Sequence, residues 1–97
     1  MSEKITVVAH AIAKKGKEKE LSKILQGLVA PTRAEKGCLN YDLHQSSDNP
    51  CAFVFHENWT SQAALDAHLK TSHIAQATSA AREFLVEPVQ ITLWKQI

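Results

Sequence analysis

The sequence has 97 residues, of which 44% are hydrophobic and 22% are charged, and its formal net charge is +1. This length and ordinary composition fit one globular domain over residues 1–97, with no charge excess to attract nucleic acid or a membrane surface. The chain contains no run of about 20 apolar residues such as crosses a bilayer, and residues 1–4 lack the apolar segment of a secretory signal, so we expect a cytoplasmic protein.

The first half of the chain is predicted to form a strand, a helix and a second strand. Residues 5–13 carry apolar side chains on both parities, as in a strand covered on both faces. From Glu18 the apolar residues recur at spacings of three and four, which predicts a helix with one apolar stripe. Pro31 removes an internal hydrogen bond, so we expect a kink or a break there, and we expect Gly37 to end the last helical turn. Residues 38–45 alternate as in a strand with one apolar face.

The second half is predicted to add a strand, helices and a closing strand. Residues 52–59 pair with the preceding strand across a hairpin loop, and Thr60 or Ser61 caps the helix that follows. A further helix is expected over residues 74–85, and residues 89–94 alternate again. The order of strand, helix, strand, strand, helix, strand predicts an α+β fold of the ferredoxin-like, split βαβ type.

The predicted sheet keeps apolar residues on the face turned away from the helices. Val8, Ile12, Val54 and Trp94 share that parity. In a lone ferredoxin-like unit this face meets water, whereas a half-apolar face on a small domain favours a second sheet packed against it. We therefore expect a homodimer.

Five histidines are the main candidates for proton transfer, because imidazole takes and gives a proton near neutral pH. His10, His44 and His56 lie on the polar strand parity. They could line the interior of a dimer, or they could be hydrogen-bonded residues at its interface or edge without a catalytic role. His68 lies on the helix face expected to point inward, and His73 lies in the break that follows. These two could form a catalytic pocket, or His68 could be a buried, hydrogen-bonded histidine that packs the helix end.

Glu57 is the candidate carboxylate, because it shares its strand parity with apolar aromatic residues. At the edge of a core it would need a partner such as His68, Arg33 or Arg82. A Glu–His pair would set the imidazole tautomer and raise its basicity, while a structural salt bridge is the alternative.

Aromatic side chains close to Glu57 in the predicted sheet could form the wall of a site for a flat ligand. These residues are Tyr41, Phe53, Phe55 and Trp59. Ordinary core packing is the alternative interpretation, because aromatic residues on strand faces often serve only that purpose.

No metal or nucleotide cofactor is predicted. Glu57, His68 and His73 would suit a non-haem iron centre, but the spacing of five between the histidines is not a helical i, i+4 pair. The chain also contains no GxGxxG, P-loop, GxSxG or HExxH motif.

Two stretches of sequence resemble a known family. Residues 37–43 read Gly-Cys-Leu-Asn-Tyr-Asp-Leu, and the second stretch carries Glu57, Trp59, Ser61, Ala64, Leu65, His68 and His73. This pattern resembles the antibiotic biosynthesis monooxygenase domain family, and especially its small bacterial quinol monooxygenases, over nearly the whole chain. The resemblance implies a dimeric α+β barrel that oxygenates quinol-like or polyphenolic molecules with O₂, without metal, flavin or haem.

Three functions follow as hypotheses. In a cofactor-free monooxygenase, His68 would be the base, Glu57 or His73 would orient it, and Tyr41 and Trp59 would line the substrate. In an acid–base isomerase of a phosphorylated metabolite, the same histidines would act while the basic stretch at residues 14–19, or Arg33, reached the phosphate. In a non-catalytic dimer, the aromatic pocket would only bind a small ligand.

Overall fold

The computed structural model describes residues 4–97. It contains one four-stranded antiparallel sheet with the strand order β2-β3-β1-β4, and this confirms the ferredoxin-like α+β fold. The elements are β1 (Ile5–Ile12), α1 (Glu18–Gln26), α2 (Val29–Arg33), β2 (Cys38–Gln45), β3 (Ala52–Trp59), α3 (Gln62–Leu69), α4 (Ser72–Ala81) and β4 (Gln90–Trp94). Within the described residues, no helix is both long enough and apolar enough to cross a membrane.

The core lies between one face of the sheet and the helices. Alternate residues of β1 and β3 are buried, because successive side chains of a strand point to opposite faces. The strand register places Tyr41, Glu57, Val7 and Leu93 in one row across this face, with Glu57 between Tyr41 and Val7. The apolar stripe of α1, which includes the buried residues Leu21 and Leu25, packs over the sheet.

The first helical region breaks before Pro31, so the predicted position of the break is wrong. The structure ends α1 at Gln26 and begins α2 at Val29, which makes Pro31 the third residue of α2. The first turn of a helix has no intrahelical acceptor for its N–H groups, so proline is tolerated there. The break therefore falls at residues 27–28, upstream of the position where proline would interrupt a continuous helix.

Local hydrogen bonds set the bounds of the later helices. Ser61 is the N-cap of α3, as one of the two predicted candidates, and its hydroxyl accepts from the Ala64 N–H. Thr71 caps α4, so this helix begins two residues earlier than predicted. It tightens into a 3₁₀ turn at Arg82–Phe84, where the Phe84 carbonyl accepts from Lys14 N–H at the end of β1.

The outer face of the sheet carries the apolar residues that led us to expect a dimer. Val8 and Val54 are half-buried there, whereas Ile12 and Trp94 are exposed. On the inner face, β4 is also exposed, and Leu93 retains 53% of its accessible surface. The homodimer stays a prediction, and the structure supplies the apolar surface that such an assembly would cover.

The turn at Gly37 offers a test of how α3 is held against the sheet. Gly16 and Gly37 both have positive φ, at 85° and 90°, but only at Gly37 would a Cβ atom collide, at 2.6 Å from the Ala64 Cβ. We predict that Gly16→Ala costs about 1–2 kcal/mol of the free energy of unfolding, from backbone strain alone. Gly37→Ala should cost about 3 kcal/mol or more, because overpacking adds to the same strain.

Urea unfolding of the two variants measures the difference directly, with Gly16→Ala as the matched control. Equal losses of stability in the two variants would show that the contact between Gly37 and α3 is not tight.

Candidate active site

A cavity of about 630 Å³ lies between the inner face of the sheet and the helices. This volume falls within the range of small-molecule sites. Most of its wall is apolar and comes from β1, α3 and α4, with Val7, Leu65 and Ile74 as examples. The polar residues on the wall are Tyr41, Glu57, His68, Thr78, Arg82 and Glu87.

His68 lines the cavity and also belongs to a polar cluster, formed with Glu35 and His73, that lies outside it. Its side chain is only 3% exposed, and its ring packs against Trp59 and Tyr41 at centroid distances of 4.6 and 5.5 Å. The ring atom Nδ1 lies 2.8 Å from the carboxylate Oε2 of Glu35. His68 also lines the cavity, so the other ring nitrogen, Nε2, is the one left for a ligand.

Glu35 binds two imidazoles through one oxygen atom. The Oε2 atom that faces His68 also lies 2.7 Å from Nε2 of His73. An ionised carboxylate only accepts hydrogen bonds, so His68 carries its proton on Nδ1 and His73 carries one on Nε2. Exposure of the side chains rises along this cluster, from 3% at His68 through 14% at Glu35 to 26% at His73.

Three short structural features bring the cluster together. Glu35 lies in the tight turn between α2 and β2, where its carbonyl accepts from the Cys38 N–H. Because Cys38 pairs with Trp59, this turn lies beside the start of α3. The Thr71 hydroxyl donates to the carbonyl of His68 at 2.8 Å and also accepts from the Ile74 N–H, which joins α3 to α4 around His73.

The sequence predicts a carboxylate partner for His68, but the partner is Glu35 and not Glu57. Glu35 has no motif and lies in a turn far along the chain from either histidine, so no local pattern points to it. The only available signal was the hairpin register, which places the residues before β2 next to those after β3. That signal requires the strand pairing to be known in advance.

Glu57 instead hydrogen-bonds to the indole of Trp59. Its Oε1 accepts from Trp59 Nε1 at 2.9 Å, so none of the predicted partners His68, Arg33 and Arg82 fills that role. Arg33 binds Asp42 at 2.9 Å on the surface. Burial raises the pKa of Glu57 to about 7, although the indole N–H acts in the opposite direction. Glu57 therefore exchanges a proton near neutral pH on the wall of the cavity.

Of the four aromatic residues predicted to form a wall, two line the cavity and two do not. Tyr41 and Phe55 line the cavity and stack on each other at a centroid distance of 4.5 Å. Burial, followed by the charge of Glu57, raises the pKa of Tyr41, so its phenol stays protonated. Trp59 packs against His68 and does not itself line the cavity. Phe53 is buried beside a separate surface groove, next to Leu43.

The remaining candidates lie elsewhere on the molecule. His10, His44 and His56 are exposed on the outer face of the sheet. Neither Arg33 nor any residue of the basic stretch 14–19 lines the cavity. A phosphate bound there would therefore meet little of the positive charge that the isomerase hypothesis requires.

Glu35, His68 and His73 are also the residues that could hold a metal ion. Each offers one ligand atom, and these atoms all lie within 4.8 Å of one another. The trio considered in the sequence analysis, and not predicted to bind a metal, contained Glu57 in place of Glu35, and Glu57 binds Trp59 on the cavity wall. Neither Glu35 nor His73 lines the cavity, so an ion held by this cluster would lie behind His68.

Comparison with known proteins identifies relatives of the chain. The sequence profile described as antibiotic biosynthesis monooxygenase matches residues 4–80. Rv0793 of Mycobacterium tuberculosis, which is provisionally named a monooxygenase, is 32% identical, with 96% of this chain and 91% of that protein covered. The chain also matches sll1783 of Synechocystis at 29% identity over 94% of its residues, but it spans only 62% of that protein's length.

Solved structures have the same fold. The crystal structure of PA3566 from Pseudomonas aeruginosa has a TM-score of 0.94 and 36% identity, and the match covers 100% of this chain and 97% of that one. The structure of Rv0793 has a TM-score of 0.90 and 31% identity, with 97% and 95% covered. The strand and helix arrangement that surrounds the cavity is therefore shared with these proteins.

The buried carboxyl of Glu57 predicts a specific dependence of stability on pH. Its pKa of about 7 in the folded chain exceeds its ordinary value of 4.5, so the folded state holds this proton more tightly. The resulting stabilisation is complete below about pH 4.5 and disappears as the pH rises through about 7. The loss amounts to roughly 3 kcal/mol.

Glu57→Gln keeps an acceptor for Trp59 Nε1 but does not titrate. We expect wild-type protein to lose more stability than this variant between about pH 5 and about pH 8 in urea unfolding. The histidines are common to both proteins, so their titration cancels in the comparison. Parallel stability curves would show that the carboxyl is not held in its neutral form.

Proposed function

The chain belongs to the antibiotic biosynthesis monooxygenase family, whose function is monooxygenase-like, and we propose that it is a cofactor-independent monooxygenase of a quinol-like or polyphenolic molecule. The observation that carries this proposal is the position of His68. Its ring lines an apolar cavity while its Nδ1 atom is bound to Glu35. This is the arrangement of a general base whose tautomer is fixed by a carboxylate.

The base removes a proton from the hydroxyl of the bound substrate. Nε2 of His68 accepts this proton, and the carboxylate of Glu35 stabilises the imidazolium that forms. His73 binds the same carboxylate oxygen from the other side and so fixes its position. Glu35 and His73 are therefore positioning residues in this proposal, and His68 is the catalytic base.

The phenolate that results is electron-rich enough to reduce O₂ directly. With a hydroquinone, one oxygen atom forms the new C–O bond, the other leaves as water, and the product is a hydroxyquinone. The substrate supplies all of the electrons, so this step needs no separate reductant. Glu57, which exchanges a proton near neutral pH, supplies the proton to the departing oxygen.

The cavity wall supplies orientation and excludes water. Tyr41 and Phe55 present aromatic side chains on one side, and apolar residues of α3 and α4 face them. A flat ring stacks on such a wall, and an apolar site favours the reaction of the anion with O₂ over its return to water. Among the described residues that line the cavity, the positive charge of Arg82 is offset by the negative charge of Glu87. The cavity therefore favours a substrate without a phosphate group.

We further propose that the chain acts as a cytoplasmic homodimer of single-domain subunits. Trp94 is 59% exposed on the outer face of the sheet, and Ile12 is also exposed there. Burial of these side chains against a second sheet would remove apolar surface from water.

Oxygen uptake tests the function. Metal-stripped protein offered reduced quinols and catechols should consume O₂ faster than boiled protein, and ¹⁸O₂ should place one labelled atom in the product and one in water. His68→Asn keeps a donor for Glu35 but removes the base, so it should lower kcat by about 10²- to 10⁴-fold. Glu35→Gln should give a smaller loss.

The same substitution at an exposed position, His44→Asn, is the matched control and should retain activity. Near-full activity in His68→Asn would show that His68 is not the base. Uptake that releases hydrogen peroxide and leaves the product unlabelled would show an oxidase instead of an oxygenase.

Sedimentation equilibrium tests the dimer. The wild-type chain should have twice the chain mass of 10.7 kDa. Trp94→Glu places a charge on the proposed contact and should shift the protein toward the monomer, whereas Ser47→Glu in the exposed hairpin loop should leave the mass unchanged. A monomeric wild-type protein would contradict the proposal.

A further inference from the structure

We propose that Glu35, His68 and His73 form a binding site for a divalent transition metal of the zinc type, and that the bound ion inactivates the base. Two imidazole nitrogens and one carboxylate oxygen converge at this point, and all three lie within 4.8 Å of one another. Each comes from a different element, since Glu35 lies in the turn before β2 and the histidines lie on α3 and α4.

An ion can bind all three atoms only after the cluster rearranges. Zinc bonds of about 2.0–2.1 Å place neighbouring ligand atoms of a tetrahedron about 3.3 Å apart. The two N–O separations are 2.8 and 2.7 Å, so each must widen by about half an ångström when an ion replaces the hydrogen bonds. The two ring nitrogens are up to 4.8 Å apart and must approach each other by up to about 1.5 Å. The partly exposed His73 side chain can supply this movement, and Glu35 lies in a turn that can follow it.

His68 is held in place by contacts outside the cluster. The ring of His68 packs against Trp59 and Tyr41, and the backbone carbonyl of His68 accepts from the Thr71 hydroxyl. His73 is 26% exposed, so an ion can reach the cluster from solvent on that side. Because its ring is already fixed, His68 loses little conformational freedom when the metal binds.

The ligand types select the class of metal. Imidazole nitrogen suits zinc, cobalt, nickel and copper, whereas magnesium and calcium prefer shells made only of oxygen. Three protein ligands leave a fourth tetrahedral position for water. The cavity wall includes His68 but neither Glu35 nor His73, so the ion itself would lie outside the cavity.

Metal binding would change the nitrogen that faces the substrate. A neutral imidazole carries one proton, and in the metal-free cluster this proton is on Nδ1 of His68, where it binds Glu35. An ion bound to Nδ1 requires the proton to move to Nε2. The base nitrogen then becomes a donor, so the metal should inhibit turnover. This inhibitory part rests on the proposed function, whereas the binding itself does not.

Calorimetric titration of chelator-stripped, tag-free protein with Zn²⁺ tests the site without any substrate. Wild-type protein should bind one ion per chain. Loss of a supporting residue around a metal typically lowers affinity by about 10- to 100-fold, so loss of a ligand in Glu35→Gln or His73→Gln should lower it by about 100-fold or more. His73→Gln retains a donor for Glu35, which limits structural disturbance.

Two controls separate this site from adventitious binding. His44→Asn and Cys38→Ser remove other zinc ligands and should leave the affinity unchanged. Binding that is lost in Cys38→Ser and kept in His73→Gln would overturn the proposal, as would the absence of any Zn²⁺ binding by the wild-type protein.

Oxygen uptake in the presence of Zn²⁺ then tests the inhibition. Activity of wild-type protein should fall along the same saturation curve that calorimetry gives, and chelator should restore it. Saturated binding with undiminished turnover would overturn the inhibitory part. If Zn²⁺ binds as expected but no quinol is oxygenated, the proposed function fails and the metal site stands; turnover without Zn²⁺ binding gives the reverse result.

Discussion

The close packing of α3 against the turn at Gly37 sets the positions of the polar groups in the site. A Cβ atom at Gly37 would lie 2.6 Å from the Ala64 Cβ and 2.9 Å from the Thr60 hydroxyl, so glycine is required where the helix meets the turn. Glu35 lies two residues before this contact and His68 lies one helical turn after it. The contact between backbone and helix therefore brings a carboxylate to a buried imidazole, although neither residue takes part in the packing itself.

The site combines two different ways of keeping carboxyl groups in a largely apolar interior. Glu35 has two ring N–H donors on one oxygen, so its burial is compensated by hydrogen bonds. Glu57 accepts one hydrogen bond, from the indole of Trp59. Its burial without further donors favours the neutral acid and raises its pKa to about 7. One carboxyl thus fixes a base, and the other exchanges a proton because it is buried with a single donor.

The sequence was sufficient for features that depend on local pattern. The alternation of β3 predicted that Phe53, Phe55 and Glu57 share one face, and the register confirms this. The position of the helix break could not be predicted from Pro31 alone, because the effect of proline depends on where the helix begins. The partner of His68 could not be predicted either, since Glu35 reaches it through strand pairing and helix packing, and a linear spacing does not report such contacts.

The edge position of β4 has a consequence for how a ligand reaches the cavity. This strand pairs with β1 alone, all five of its residues are exposed, and Ile91 on its inner face lines the cavity. Segments with little buried surface open locally at a lower free energy than the rest of a fold. In the isolated subunit, β4 should therefore open before β1 and β3, which would widen the cavity beside Ile91, and the amide hydrogens of β4 should exchange with solvent first.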